Sequence, residues 1–255
     1  MKTIILAAGE GRRLRPFTEN KPKCMVLFQE KPIIDYIINT TDDNDLRDIS
    51  IISGYKEDVL RKYIKEKHED KKISLHHNSH YKNTNMVYTL FCAEDLLDGT
   101  SDVIISYADI IYNKEILNQL MKAEDNIAIV VDKDWEKLWQ LRMDNPLDDA
   151  ETMKFDDQGS VSELGKKPKS YEEIEGQYIG LIKISKNVIK EVKKFYYSLD
   201  RKKIYDGKDF NNMYMTTFLQ LLIDTGFKVR PVMINGGWLE IDSVEDLDKL
   251  QDYKW

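Results

Sequence analysis

The chain has 255 residues, 42% of them hydrophobic, and a formal net charge of −7. That composition suffices for one sizeable core, while the acidic balance argues against a nucleic-acid partner. Its two cysteines, Cys24 and Cys92, are too few for a disulfide framework or a cysteine-based zinc site. No apolar run approaches the roughly 20 residues that cross a bilayer, and the first one leads into arginines rather than a cleavage site. We therefore expect a cytoplasmic protein with no membrane partner.

Strand and helix patterns alternate through the first half of the chain. Short β-branched apolar runs predict buried strands, and amphipathic runs predict helices. The predicted strands cover 3–6, 49–53, 73–76, 102–106 and 127–131. The predicted helices cover 32–39, 56–66, 86–97 and 114–123. Repeated strand–helix units of this kind predict an α/β fold, with a Rossmann-like, doubly wound, mixed but mostly parallel sheet.

The pattern changes after residue 131. Residues from about 135 to 165 are polar, and a hairpin is predicted over 153–164 with its turn at 157–159. The later elements predicted are strands at 178–184 and 229–234 and helices at 187–199, 215–225 and 244–250. No long linker or repeat interrupts the chain. We therefore expect a single domain over 1–255 that carries a small inserted lid at about 133–177.

A glycine loop rich in arginine follows the first predicted strand directly. Gly9 and Gly11 would let backbone N–H groups approach phosphate oxygens, where any side chain would obstruct. Arg13 and Lys23 add charge that can neutralise phosphates and stabilise a transition state. The loop lacks the third glycine of a dinucleotide fingerprint and the Gly-Lys-Ser/Thr of a P-loop. The other arginines of the loop can equally be solvated surface charges.

The run LAAGEGRRLRPFTENKPKCM, residues 6–25, resembles the signature of the sugar-nucleotidyltransferase superfamily. That signature is L-A-A-G-x-G-x-R-L-x-P-x-T followed by P-K and an apolar residue. The resemblance implies a GT-A-like nucleotidyltransferase fold, in which Arg13 contacts the departing pyrophosphate and Lys23 the reacting phosphoryl group. The residues expected to bind the nucleotide are Leu6, Ala7, Ala8, Gly9, Gly11, Arg13, Lys23, Gly54, Asn85 and Ala108. Asn85 can serve both as a helix cap and near the base.

Two aspartates, Asp109 and Asp242, follow apolar strands and are candidates for a metal site. Open α/β sheets place ligand-binding groups just beyond the carboxyl ends of their strands. Two carboxylates and phosphate oxygens suit a hard, octahedral Mg2+ that keeps several waters. The alternative for Asp242 is a cap on the last helix. In the superfamily, aspartates at these positions bind the catalytic metal, so the resemblance implies Mg2+ as cofactor, with Glu240 as a secondary ligand candidate.

Within the superfamily, the C-terminal run 238–247 resembles the cytidylyltransferases that act on phosphocholine and phosphonates. Segments such as 106–112 and 145–152 resemble the branch that uses L-glutamine phosphate to supply capsular phosphoramidate. The resemblance implies transfer of CMP from CTP to a small phosphorylated or phosphonate acceptor, with release of pyrophosphate. The alternatives are phosphocholine, 2-aminoethylphosphonate, a sugar 1-phosphate with UTP or dTTP, and a non-catalytic nucleotide-binding subunit. A homo-oligomeric assembly stays open.

The acceptor is expected to bind in and around the inserted lid. Aromatic side chains can enclose the quaternary ammonium of phosphocholine, whereas an amino acid needs a cation for its carboxylate and an acid for its ammonium. The candidates are Lys133, Trp135, Arg142, Glu151, Lys154, Tyr178, Trp238 and Glu240. The simpler alternative is that these aromatics pack the lid and that its charges are solvated.

Overall fold

The structure is a computed structural model and describes residues 1–254. Its strands are β1 (Lys2–Ala7), β2 (Leu27–Phe28), β3 (Lys31–Pro32), β4 (Asp48–Ser53), β5 (Ile73–His77), β6 (Val103–Tyr107), β7 (Ile110–Tyr112), β8 (Ile127–Asp132), β9 (Met153–Phe155), β10 (Val161–Leu164), β11 (Gln177–Ile184), β12 (Val229–Ile234) and β13 (Trp238–Glu240). Its α-helices are α1 (Ile33–Asp43), α2 (Glu57–Lys67), α3 (Met86–Phe91), α4 (Lys114–Lys122), α5 (Trp135–Arg142), α6 (Ile189–Ser198), α7 (Met215–Asp224) and α8 (Val244–Lys249).

Seven strands form the central sheet, in the order β12-β8-β11-β6-β1-β4-β5. β1 runs parallel to β4 and β6, and β8 runs parallel to β12, whereas β11 is antiparallel to both of its neighbours. The mixed, mostly parallel sheet is therefore confirmed. Leu6 of β1 lies opposite Tyr107 of β6, so the two strands end at the same edge. This register brings the glycine loop after β1 next to the turn that carries Asp109.

Both faces of the sheet are buried, as expected for a doubly wound fold. In β1, Ile5 belongs to one apolar cluster and Ile4 to the other, because successive side chains of a strand point to opposite faces. Helices α1 and α4 cover the first face, and helices α3, α6 and α7 cover the second. None of the helices described within residues 1–254 is long and apolar enough to cross a bilayer.

The lid predicted at about 133–177 contains one element that the sequence reading missed, helix α5. Trp135, Leu138 and Trp139 are buried on its inner face, at the spacing of one helical stripe. Two charged residues, Glu136 and Lys137, interrupt this short pattern. The predicted hairpin is confirmed as β9 and β10, and Met153 and Leu164 pack into the core of the second face. The division into one domain with a lid stays a prediction.

The helix predicted over 86–97 is shorter than expected, since α3 ends at Phe91. A single 3-10 turn follows at Glu94–Leu96. Between them Ala93 leaves helical geometry, with φ −122° and ψ 39°, and both Ala93 and Leu97 are buried in the core. Burial of these two side chains thus overrides the helical tendency of the run. The other predicted strands and helices agree with the structure to within a few residues at their ends.

Candidate active site

The glycine loop after β1 packs tightly against the segment that carries Lys23. Gly11 has φ +61°, and an added Cβ would lie 2.8 Å from Lys23 Cβ, so a side chain there would displace the lysine. The Thr18 hydroxyl donates to the Gly11 carbonyl oxygen at 2.7 Å. By contrast, a Cβ added at Gly9 would meet nothing within 4 Å. The two glycines therefore serve different purposes, one for packing and one for access to the cleft.

Arg12 and Arg15 are directed to the surface, as the alternative interpretation of the loop allowed. Arg12 Nε lies 2.8 Å from Glu10 Oε2, and Arg15 Nη2 lies 3.7 Å from the same oxygen. The side chain of Arg12 is 72% exposed. A hydrogen bond from Arg12 lowers the pKa of the Glu10 carboxyl. These two arginines are therefore balanced locally and leave Arg13 as the cation of the loop that faces the site.

A cleft of about 600 Å³ opens at the carboxyl ends of β1 and β6. Most of the predicted nucleotide-binding residues line it, namely Leu6, Ala7, Ala8, Gly9, Lys23, Asn85 and Ala108. Asp109 lies at its edge. The cleft continues into a second cavity of about 1900 Å³, with which it shares Met86, Tyr107 and Asp109. We call these the first and the second cavity.

Gly54, which was expected to contact the nucleotide, does not line the first cavity. It affects the cavity through the residues that pack against it. An added Cβ at Gly54 would lie 2.7 Å from the Ala8 carbonyl oxygen and 2.7 Å from Tyr81 Cβ. Both neighbours line the cavity. Gly54 thus allows two parts of the wall to approach each other.

The far wall of the first cavity comes from the segment around the start of α3. Asn85 caps that helix, because its side-chain oxygen accepts a hydrogen bond from the Met86 N–H at 2.8 Å. The helix-cap role considered for Asn85 is therefore confirmed. Tyr81, Thr84 and Thr89 also line this wall. The sequence reading did not single out these three side chains.

Four residues from three distant parts of the chain meet where the two cavities join. Lys23 Nζ lies 2.7 Å from Asp109 Oδ2 and 2.6 Å from Asp242 Oδ1. Arg13 Nη2 contacts the other oxygen of Asp242. The Lys23 side chain is only 13% exposed, whereas that of Arg13 is 64% exposed. The structure therefore brings together the two cations and the two carboxylates that the sequence assigned to phosphate and metal binding.

A short antiparallel pair, β7 with β13, brings the two aspartates together. Glu240 pairs with Ile110, and the Ile241 N–H donates to the Asp109 carbonyl oxygen at 2.9 Å. The cap role considered for Asp242 is wrong, because Ser243 caps α8. The Ser243 hydroxyl accepts from the Asp246 N–H at 3.1 Å in a reciprocal capping box. Asp242 is thus free to face the cavities.

The donor set fits a hard divalent cation. Asp109 Oδ1 is buried and has no hydrogen-bond partner within residues 1–254, which leaves a carboxylate oxygen available for a ligand. No group of three or more His, Cys, Asp or Glu side chains able to hold a metal ion occurs in this part of the chain. A site of two carboxylates completed by phosphate oxygens and water is typical of Mg2+. Glu240, the secondary candidate, is instead engaged by Arg142 at 2.7 Å.

The second cavity is rich in carboxylates. Of the predicted acceptor residues, it is lined by Glu151, Tyr178, Trp238 and Glu240. Burial, reinforced by Asp149 and Glu240, raises the pKa of Glu151 to about 7. Burial also raises the pKa of Glu240, and Arg142 partly opposes this effect. A cavity that disfavours carboxylate charge in this way favours a ligand with a positive charge.

Three other predicted acceptor residues lie outside the second cavity. Lys133 is exposed beyond the end of β8 and is absent from the lining. Trp135 packs within the segment predicted as the lid, with its ring centroid 5.8 Å from that of Trp139. Lys154 Nζ lies 3.3 Å from Glu163 Oε1 and is neutralised there. For these three residues the simpler alternative, packing or paired surface charge, is correct.

Arg142 is a further correction. Its side chain is 1% exposed and contacts two carboxylates, Glu240 at 2.7 Å and Asp246 at 2.9 Å. A guanidinium that is buried, ion-paired with two carboxylates and absent from the cavity lining is not available to an acceptor carboxylate. The cations of the predicted lid that do line the second cavity are Lys166 and Lys167, which sequence reasoning missed. Their only signal was their position just after the hairpin.

Comparison with known proteins agrees with this geometry. Residues 2–251 match the family model described as nucleotidyl transferase. The chain is 48% identical to the CTP:phosphoglutamine cytidylyltransferase of Campylobacter jejuni, over 97% of this chain and 98% of that protein. It is 36% identical to the choline-phosphate cytidylyltransferase of Streptococcus pneumoniae over 48% of this chain and 51% of that one. The solved inositol-1-phosphate CTP transferase of T. maritima superposes with a TM-score of 0.74 at 18% identity, covering 100% of this chain and 97% of that one. The chain therefore belongs to the nucleotidyl transferase family and is a nucleotidyltransferase.

Proposed function

We propose that the protein transfers CMP from CTP to L-glutamine phosphate and releases pyrophosphate, with Mg2+ as cofactor. The observation that carries the proposal is the cluster of Arg13, Lys23, Asp109 and Asp242 at the junction of the two cavities. The substrates named for the Campylobacter jejuni relative, which matches almost end to end, support the choice of nucleotide and acceptor. With the resemblance to the capsular phosphoramidate branch, they favour a role in capsule modification.

The reaction requires the protein mainly to position its substrates and to supply positive charge. A phosphate oxygen of the acceptor is already an anionic nucleophile, so no general base is needed. It would approach from the second cavity and bond to the α-phosphorus of a nucleotide in the first cavity. The bond from that phosphorus to the bridging oxygen breaks, and pyrophosphate leaves with the electron pair. Catalysis is then in-line positioning together with electrostatic stabilisation.

Lys23 and Arg13 would take separate parts in this step. Lys23 Nζ is held between the two aspartates at the edge of the first cavity, where the α-phosphate has to lie. Arg13 extends from the glycine loop, contacts Asp242 and is more exposed, which suits the departing pyrophosphate. Asp109 and Asp242 would hold Mg2+, which when bound supplies further positive charge to offset that of the phosphates.

The charges of the second cavity favour an amino-acid acceptor over a sugar phosphate. Glu151 lines the cavity and forms no ion pair within residues 1–254, so an ammonium group would give it the counter-charge it lacks. Lys167 at the rim is the candidate for a carboxylate, because its Nζ donates to the backbone carbonyl oxygens of Leu147 and Asp148, whereas Lys166 is paired with Glu163 at 2.6 Å. Phosphocholine is the second candidate, because Trp139, Tyr178 and Trp238 line the same cavity.

A substrate matrix tests the proposal. CTP, UTP and dTTP are each combined with L-glutamine phosphate, phosphocholine, 2-aminoethylphosphonate or a sugar 1-phosphate in the presence of Mg2+. Pyrophosphate release gives the rate, and 31P NMR identifies the product. We expect turnover with CTP and L-glutamine phosphate. Preference for UTP would refute the nucleotide assignment, preference for phosphocholine would refute the acceptor, and nucleotide binding without turnover would favour a regulatory subunit.

A further inference from the structure

Arg142, at the end of α5, holds two carboxylates that flank Asp242 in the chain. Its Nη1 lies 2.7 Å from Glu240 Oε2, and its Nε donates to Asp246 Oδ1 at 2.9 Å. Its Nη2 donates to the second oxygen of Asp246 at 3.3 Å. One guanidinium is therefore hydrogen-bonded to the residue four positions after Asp242 and ion-paired, without a hydrogen bond from Nη1, with the residue two positions before it.

Asp246 passes this constraint on to the backbone of Asp242. Its Oδ2 accepts hydrogen bonds from the Asp242 N–H and the Ser243 N–H, both at 2.9 Å. Asp246 is 3% exposed, so water does not compete for these bonds. On the other side, the Ile241 N–H donates to the Asp109 carbonyl oxygen at 2.9 Å. The turn that presents Asp242 is thus fixed at both ends.

We propose that Arg142 is the positioning residue for Asp242, through Asp246 and Glu240. Without the guanidinium, two buried carboxylates lose their counter-charge and repel each other, so the turn between them moves. Ligand-orienting partners of this kind are worth 10- to 100-fold in metal affinity. Lysine cannot take the place of Arg142, because one ammonium does not reproduce a fork that contacts two carboxylates. The inference rests on the proposed role of Asp242 as a metal ligand.

The same contacts link the acceptor side of the enzyme to the metal side. Trp139, one turn before Arg142 on α5, lines the second cavity, and the guanidinium carbon of Arg142 lies 5.4 Å from a ring centroid of Trp139. Helix α5 belongs to the segment predicted as the lid. A single helix therefore carries both a wall of the acceptor cavity and the proposed anchor of Asp242.

Lys183 is a matched buried cation elsewhere in the fold, and its variant serves as a control that distinguishes a positioning role of Arg142 from a merely structural one. Lys183 is 6% exposed in its side chain, lies 3.6 Å from Asp102 Oδ2 and donates to the Met121 carbonyl oxygen at 3.0 Å. It pairs with Ile104, towards the opposite end of β6 from Asp109. Lys183→Met should lower the melting temperature and leave metal binding within twofold of the unaltered protein.

The experiment measures the dissociation constant of Mn2+ alone by electron paramagnetic resonance, with melting temperature in parallel. We expect Arg142→Met to weaken Mn2+ binding 10- to 100-fold and Arg142→Lys to weaken it at least fivefold. Asp242→Asn, which alters the proposed ligand itself, should also weaken Mn2+ binding at least fivefold. If Arg142→Met fails to fold, the Mn2+ dissociation constants of Arg142→Lys and Asp246→Asn test the inference in its place.

Three results would overturn the inference, and they have different meanings. If Asp242→Asn binds Mn2+ as tightly as the unaltered protein, the metal site of the proposed function falls together with the positioning role. If Asp242→Asn loses Mn2+ while both Arg142 variants bind within twofold, only the positioning role falls. If Lys183→Met weakens binding as much as Arg142→Met, the effect is general loosening of the fold.

Discussion

Lys23→Met is the sharpest single test of the cluster, because it should lower kcat and at the same time raise the affinity for Mn2+. The ammonium lies 2.7 and 2.6 Å from the two aspartates and is only 13% exposed. At the effective dielectric constant of about 20 that suits such sites, a charge pair about 4 Å apart is worth about 4 kcal/mol. Loss of a donor aimed at developing charge typically costs about 3 to 4 kcal/mol, or about 10²- to 10³-fold in kcat.

The affinity for a metal ion should rise in the same variant, whereas kcat falls. The ammonium of Lys23 neutralises the carboxylates that would hold the cation and repels the cation itself. Its removal should therefore strengthen the binding of Mn2+ alone, by about tenfold, or about 1.4 kcal/mol. A general loss of structure would weaken both turnover and metal binding, so the pair of signs is diagnostic.

The assays are pyrophosphate release under saturating CTP and acceptor, and counting of free Mn2+ by electron paramagnetic resonance. Lys21→Met is the matched control, since Lys21 lies two residues earlier and forms no ion pair in the described part of the chain. Turnover of Lys23→Met within threefold of the unaltered enzyme, or weaker Mn2+ binding, would refute the role given to Lys23.

Glu151→Gln should raise the melting temperature at pH 8 but not at pH 5. In the folded protein the pKa of Glu151 is about 7, above the ordinary 4.5, so the unaltered protein loses at most about 3 kcal/mol of stability as pH rises through that interval. Equal shifts in melting temperature at both pH values, measured by calorimetry, would contradict this. Gly9→Ala should raise KM for CTP at least tenfold without a change in melting temperature, because its Cβ enters open space in the first cavity. Gly54→Ala should lower the melting temperature as well, since its Cβ would lie 2.7 Å from the Ala8 carbonyl oxygen; an unchanged melting curve would exclude that contact. Asp109→Asn should lower kcat at least 100-fold and weaken Mn2+ binding, and normal turnover over a Mg2+ titration would exclude it as a ligand.

The cluster could be predicted because each of its members lies in a local pattern with a fixed place in the fold. Gly9, Gly11 and Lys23 belong to one continuous run, and the loop after β1 is always at the carboxyl edge of a parallel sheet. Asp109 follows β6, the strand next to β1, so its proximity to the loop follows from the register. Asp242 was the less certain member, since its place depends on the short pairing of β7 with β13.

The acceptor residues could not be predicted in the same way, because the partner of a charged side chain depends on how the lid folds back. Lys133, Lys154 and Arg142 carry the same positive charge in the sequence as Lys166 and Lys167. Only the structure shows that Lys133 is outside the cavity and that carboxylates engage Lys154, Arg142 and Lys166. The aromatics posed the same problem, because Trp135 and Trp139 lie one turn apart on α5 and only Trp139 reaches the cavity.

The error at Arg142 is the most instructive of these, because the residue type was right and the partner was wrong. A guanidinium in the lid was expected to bind a carboxylate of the acceptor, and it does bind carboxylates, but they belong to the chain itself. Glu240 and Asp246 lie about 100 residues further on, on either side of the aspartate proposed as the metal ligand. A charge that the sequence assigns to substrate can therefore be the one that holds the catalytic turn in place. The same burial that removes Arg142 from the acceptor is what gives it control over Asp242.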